Sequence, residues 1–220
     1  MCGRATLTME ELEIVAKTVE SAFSPADAAL YRPRYNLAPT DRHWIVRTQD
    51  GQRVLVPGTW GFTGKVSPLL INVRAETAPT KFKSAFANRR CAIPVDGFYE
   101  WIGSKKTKHP IWFHTPEKKV FLLAGLFEER EGGELAFAIL TTQANALVAA
   151  AHDRMPEILP FDKLAEWLSV PVPYVLEPAP EKTLIGTEVS SRANSVTQDD
   201  PSFLVGWNPA EAKGEQLRLL

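Results

Sequence analysis

Trp44-Ile45-Val46-Arg47-Thr48-Gln49-Asp50-Gly51-Gln52-Arg53-Val54-Leu55-Val56 has the pattern of a β-hairpin. Two runs rich in β-branched and apolar residues, Trp44–Val46 and Val54–Val56, flank Asp50-Gly51, a pair that accepts the positive φ of a tight turn. Working outward, further strands are expected at Leu69–Val73, Arg90–Val95, Phe98–Ile102, Ile111–His114, Val120–Phe127 and Leu135–Thr141, most set off by Gly, Pro or charged turns. Helices are fewer. Thr8-Met9-Glu10-Glu11 has the form of a capping box, and Leu12, Val15, Ala16 and Val19 follow at helical spacing, which predicts a helix over 9–20. Short helices are expected at 82–88, 143–151 and 162–168. Strands outnumber helices without βα alternation or internal repeat. The expectation is an α+β fold, a single domain over 1–210 with a mostly antiparallel, barrel-like β-sheet core and a few short peripheral helices. The Pro-rich stretch 171–182 is expected to be a surface loop, and 211–220 a weakly ordered tail.

A chain of 220 residues, 45% apolar and 23% charged, is long enough to bury its own core without a metal or disulfide staple. No apolar run approaches the roughly 20 residues of a membrane span. The first eight residues contain no apolar h-region, so a secretory signal is not expected. Together these predict a cytoplasmic protein with no membrane partner. The two cysteines, Cys2 and Cys91, lie in no Cys-x-x-Cys pair, and no metal site is expected. Cys91, in the apolar run Cys91-Ala92-Ile93-Pro94-Val95, has the character of a small core residue. A disulfide between the two is disfavoured in a reducing compartment. The net charge of −1 says nothing for nucleic acid, but its distribution does. Between Asn72 and His109, eight basic residues stand against three acids, a window of +5 in a remainder of −6.

Four places carry side chains suited to chemistry. Removal of Met1 would turn Cys2 into a 1,2-aminothiol, with an amine near pKa ~7.7–8 and a thiol near ~8.5, both partly nucleophilic at neutral pH. An aldehyde meeting this pair forms an imine with the amine, and the thiol then closes a durable thiazolidine ring. In Ile71-Asn72-Val73-Arg74-Ala75-Glu76-Thr77, strand alternation predicts Asn72, Arg74 and Glu76 on one face, either a wet surface or a cleft wall. In Asp96-Gly97-Phe98-Tyr99-Glu100-Trp101, aromatic neighbours would raise the pKa of Glu100 by desolvation and fit it for general acid–base work; an exposed strand Glu is the plainer alternative. His152-Asp153-Arg154-Met155-Pro156 follows an Ala-rich helix and is closed by Pro, a sharp loop able to aim His152 at a site. His109 and His114 lie in ordinary strand contexts and are assigned no role.

Taken in order, Met1-Cys2-Gly3-Arg4, Arg34-Tyr35-Asn36-Leu37-Ala38-Pro39-Thr40, Trp60-Gly61, Leu70–Thr77, Arg90–Trp101, His152–Pro156 and Val189–Ser195 resemble the SOS-response-associated peptidase family, the abasic-site processing proteins. The resemblance runs from residue 1 to about residue 206. It implies a DNA-damage protein that binds single-stranded DNA, crosslinks itself to abasic sites through Cys2, removes its own Met1, and in some members cleaves or releases abasic DNA. It assigns Cys2 as the crosslinking residue, Asn72 as the residue orienting it, Glu100 as the catalytic carboxylate and His152 as the active-site histidine. Arg4, Arg74, Arg89 and Arg154 are expected to contact DNA or organise the site. No cofactor is implied. The expected partner is single-stranded DNA with abasic sites, with replication machinery as further company. A monomer is expected, nucleoid-associated when on DNA.

One element departs from the family's pattern. After Trp60-Gly61 relatives often carry a tryptophan-containing element, whereas here Phe62-Thr63-Gly64-Lys65-Val66-Ser67-Pro68 is shorter and leaves Phe62 as its aromatic. Stacking is worth ~1–3 kcal/mol per base, so the preference between single strands and junctions depends on this stretch. Two other classes compete with crosslinking. An N-terminal-nucleophile hydrolase would form an acyl-enzyme at Cys2 on an amide in trans. A non-catalytic reader would bind nucleic acid through the basic face alone.

Overall fold

In the computed structural model the described residues are 2–63, 69–103, 108–169 and 179–205. They form strands β1 (Ala5–Leu7), β2 (Arg34–Leu37), β3 (Arg42–Gln49), β4 (Gln52–Trp60), β5 (Asn72–Arg74), β6 (Arg90–Val95), β7 (Gly97–Ile102), β8 (His109–His114), β9 (Phe121–Glu129), β10 (Leu135–Gln143), β11 (Arg154–Pro156), β12 (Ile158–Leu159) and β13 (Ile185–Glu188). The α-helices are short: α1 (Leu12–Thr18), α2 (Pro25–Ala28), α3 (Ala78–Lys81), α4 (Lys83–Asn88), α5 (Ala146–Ala149), α6 (Leu164–Leu168) and α7 (Ser202–Val205). The tail at 211–220 and most of the Pro-rich stretch lie outside the described residues, as do Gly64–Pro68.

The Asp50-Gly51 turn forms as its residues require. Both have positive φ, +50° and +77°, and the register runs from Gln49 opposite Gln52 to Arg42 opposite Thr59. From this hairpin the sheet closes on itself: β4 pairs with β10, β10 with β9, β9 with β6, and β6 with β3. The α+β, barrel-like, mostly antiparallel expectation therefore holds. The exceptions are the parallel pairings of β10 with β4 and β5. A second sheet, in the order β13-β8-β7-β1-β2, packs beside the ring.

Strand alternation separates two large cores, beside a small third cluster of Tyr99, Trp112 and Val189. Along β10, Ala136, Ala138 and Leu140 join a core shared with α1, α4 and α6, while Leu135, Phe137 and Ile139 join a second core with residues of the smaller sheet. Cys2 belongs to the second core. Cys91 lies there too, fully buried, as its apolar run suggests.

Two local expectations are corrected. Residues 9–20 do not form one helix: α1 begins after Glu11, with no side-chain cap. Thr8 does not cap it because both its N–H and its hydroxyl donate to Asp96 Oδ2 at 2.6 Å. The Asn72–Arg74–Glu76 face is likewise cut short. Strand β5 ends at Arg74 and residues 75–77 turn into a 3-10 helix, so alternation does not reach Glu76.

Candidate functional site

Strand β1 carries Cys2 to the interior because its register is fixed on both edges. Ala5 sits opposite Leu37 of β2 and Phe98 of β7. Asp96 tightens this: besides Thr8 it accepts from the Thr6 hydroxyl at 2.5 Å, and Thr6 Oγ1 in turn accepts from Trp112 Nε1 at 3.1 Å. Cys2, three residues before Ala5, is fully buried, its thiol pointed at the Arg4 carbonyl at 3.6 Å. Burial, with the nearby Glu100 charge adding to it, pushes the thiol well above its usual pKa, so it is a thiol at neutral pH.

Asn72 arrives from β5, held by its parallel pairing opposite Ile139. Its Nδ2 donates to the Cys2 carbonyl at 2.8 Å. Asn72 Oδ1 is buried and has no hydrogen-bond partner among the described residues. Glu100 lies on β7 opposite Ile111 and is only 4% exposed. Burial pushes its carboxyl up to about 7, with Asp153 adding to the rise. Glu100 is thus raised toward the neutral range, where a carboxyl can both give and take a proton.

His152 lies between α5 and β11, two residues before Arg154. Its Nδ1 accepts from the Arg154 backbone N–H at 3.0 Å in the neutral tautomer that carries the ring proton on Nε2. Burial holds the ring below its usual pKa, favouring this neutral form. Asp153 Oδ1, 2.8 Å from the same nitrogen, is its ion-pair partner once the ring is protonated. The half-exposed His152 therefore stands at the rim and Cys2 at the floor. The Cys2–Asn72 contact and the charge interactions of Glu100 with Cys2 and Asp153 gather four distant segments into one site. Among the described residues, no group of three or more His, Cys, Asp or Glu side chains is placed to hold a metal ion.

A family model described as SOS response associated peptidase (SRAP) matches residues 1–196. The chain belongs to the SOS response associated peptidase family. Among its SRAP relatives, the abasic site processing protein YoqW of Bacillus subtilis is 32% identical, the alignment covering 93% of this chain and 99% of that one. The abasic site processing protein HMCES of Xenopus tropicalis is 26% identical over 99% of this chain and 82% of its own. A crystal structure of a protein from Bacteroides thetaiotaomicron superposes with a TM-score of 0.78 at 19% identity, covering 92% of this chain and 98% of the other, and shows the shared fold.

The four arginines of this SRAP domain stand in different surroundings. Arg4 Nη1 donates to Asn36 Oδ1 at 2.7 Å and to the Ala193 carbonyl at 2.8 Å, and the guanidinium lies 5.8 Å from the Trp101 ring centre. Arg154 grips Glu76 with both terminal nitrogens, at 2.6 and 2.9 Å, and also donates to the Thr141 carbonyl. This fork ties the His152 segment to the turn that follows Asn72. Arg74 is exposed, and Arg89 is half-buried beside a separate cleft. Arg90, counted within the basic window, is buried between Phe86 and Trp167, 4.6 and 4.9 Å from their ring centres. Lys105 and Lys106 lie outside the described residues.

Sequence reasoning did not single out Asn36, Asp199, Asp96 or Asp153 as site residues. Asn36 Nδ2 donates to the carbonyls of Ser195 and Gln198 at 2.9 and 2.8 Å, and Asp199 accepts from the Tyr35 and Asn36 N–H groups. Their partners lie more than 150 residues away in the chain. No local pattern announces such contacts.

Proposed function

We propose that this chain captures abasic sites in single-stranded DNA as a covalent thiazolidine on Cys2, after removing its own Met1. Its support is the contact of Asn72 with the Cys2 carbonyl, beside a buried Glu100 whose pKa is raised to about 7. The related proteins named for abasic-site processing supply the substrate class.

The residues divide the work by their chemistry. The Cys2 amine attacks the ring-opened deoxyribose aldehyde, the C–N bond forms, and the aldehyde oxygen leaves as water. Asn72 Oδ1, an acceptor without a partner among the described residues, holds that amine by an N–H. The thiol, kept protonated by burial, then adds to the imine carbon. Glu100 takes the thiol proton while the imine nitrogen gains one, so the ring closes with a single water lost overall. The Nε2–H of His152 donates to the sugar oxygen during ring opening. Met1 removal is a hydrolysis in which water adds to the Met1 carbonyl carbon, Glu100 takes the water proton and passes it to the departing Cys2 nitrogen, and methionine leaves as the free acid.

The test is a single-stranded oligonucleotide with one abasic site, incubated with the protein and run on a denaturing gel. A covalent band is expected with wild type and none with Cys2→Ala. Glu100→Gln and His152→Ala are expected to slow its appearance about 10²-fold or more. A missing band for wild type whose Met1 is shown by mass spectrometry to be gone would overturn the proposal.

A further inference from the structure

Beside β5 lies a second cleft of about 660 Å³, within the usual range for a small-molecule site. Its apolar wall includes Phe62 and Phe82, and its rim carries Lys81, Lys83 and Arg89 against the single acid Glu128. Phe62, Phe82 and Leu70 pack with the helix-side core, while Ile71 and Cys2 pack with the other core. The cleft therefore lies across β5 from Cys2 and is separate from the site described above. Three cations around aromatic side chains complement a ligand that joins an anion to a flat ring, which is the chemistry of a nucleotide.

We infer that this cleft holds one nucleotide of the same DNA strand whose abasic sugar occupies the Cys2 site, an inference that rests on the proposed function. The base lies against Phe82 and Phe62, and the phosphates meet Lys81, Lys83 and Arg89. The connection is short: from Asn72 the chain runs through exposed Arg74 and a 3-10 turn to Lys81 at the end of α3. That path is at most about 22 Å, the length of roughly six stacked nucleotides.

The test compares two aldehyde substrates, free 2-deoxyribose, which carries no base or phosphate, and a strand with one abasic site and about ten nucleotides on each side. The half-saturating concentration for covalent capture is measured with wild type, with Lys81→Glu/Lys83→Glu, and with Ser84→Trp, an exposed position where the new ring fills the cleft. On the long strand both variants are expected to raise it about tenfold or more, and the lysine variant to flatten the salt slope by about 1.4. On the free sugar, which has no nucleotide to place in the cleft, neither has an effect. Equal effects on both substrates, or none on either, overturn the inference while leaving capture at Cys2 intact. If wild type captures neither, the proposed function fails instead. The cleft is then judged by binding of the undamaged long strand to Cys2→Ala protein. Binding that Lys81→Glu/Lys83→Glu and Ser84→Trp weaken upholds the cleft, and binding that they leave unchanged overturns it.

Discussion

Glu100 shows how far one side chain departs from its ordinary behaviour when its strand is covered. The folded protein holds its proton up to about pH 7 because burial penalises the carboxylate, whereas in an unfolded chain a glutamate releases it near ~4.3. The folded state therefore binds more protons between these values. The Glu100 contribution to stability is greatest at low pH and is lost as pH rises through 7. Glu100→Gln removes this titration. Relative to wild type, the variant is expected to gain about 2–3 kcal/mol in urea unfolding between pH 5 and pH 8.5. Equal pH dependence in the two proteins would show that Glu100 is not the group responsible. Sequence made Glu100 legible as a carboxyl between two aromatics, but left its burial open. Tyr99 and Trp101 point away from it by alternation. The residues that cover Glu100 come from other segments.

At the scale of the element, β1 does more than its three residues suggest. Ala5-Thr6-Leu7 carries too little pattern to be recognised as a strand, and its partners β2 and β7 begin about 30 and 90 residues away. Asp96 is its latch, holding Thr6 and Thr8 together and, through Thr6, Trp112. Asp96→Ala leaves two hydroxyls and one N–H without their acceptor in a mostly buried place. A loss of about 3 kcal/mol in denaturant unfolding is expected. Covalent capture should also slow at temperatures where the variant is still folded, because Cys2 lies three residues from the released strand. Unchanged stability would mean that water substitutes for the carboxylate and that the latch is weak. The Gly97 backbone completes this corner: a Cβ there would come within 1.8 Å of Trp112 Nε1. The same Asp96 contact explains why a capping box at Thr8 was legible yet absent. The two roles compete for one side chain, and the tertiary partner wins.

For the whole molecule, under the proposed function, the charge pattern sets how a DNA strand is held. Net charge is −1, so attraction to a phosphate backbone depends on local clustering. Of the basic window, Arg74, Lys81, Lys83 and Lys108 are exposed among the described residues, whereas Arg90 is spent inside the core. With Arg89 in the cleft these make five phosphate contacts, which predict a slope of about −3.5 in log affinity against log salt for a single strand. A rise from about 50 to 200 mM should then weaken undamaged single-stranded DNA binding about 130-fold. Fluorescence anisotropy over that range checks it, and a slope near zero would remove these cations from the footprint.

The division between sequence and structure follows the range of the interactions involved. The Asp50-Gly51 hairpin, the strands from Arg90 to Thr141 and the burial of Cys91 were readable because turn chemistry and alternation act over a few residues. The chemical types gathered at the site, an N-proximal cysteine, an amide, a carboxyl and an imidazole, were readable as well. Ring closure through β10, the parallel pairing that delivers Asn72 to Cys2, and the engagement of Arg154 by Glu76 were decided by the tertiary structure alone. Each joins segments tens of residues apart. Burial, which sets the protonation of Cys2 and Glu100, belongs to the same class, because it is created by whatever the rest of the chain packs on top.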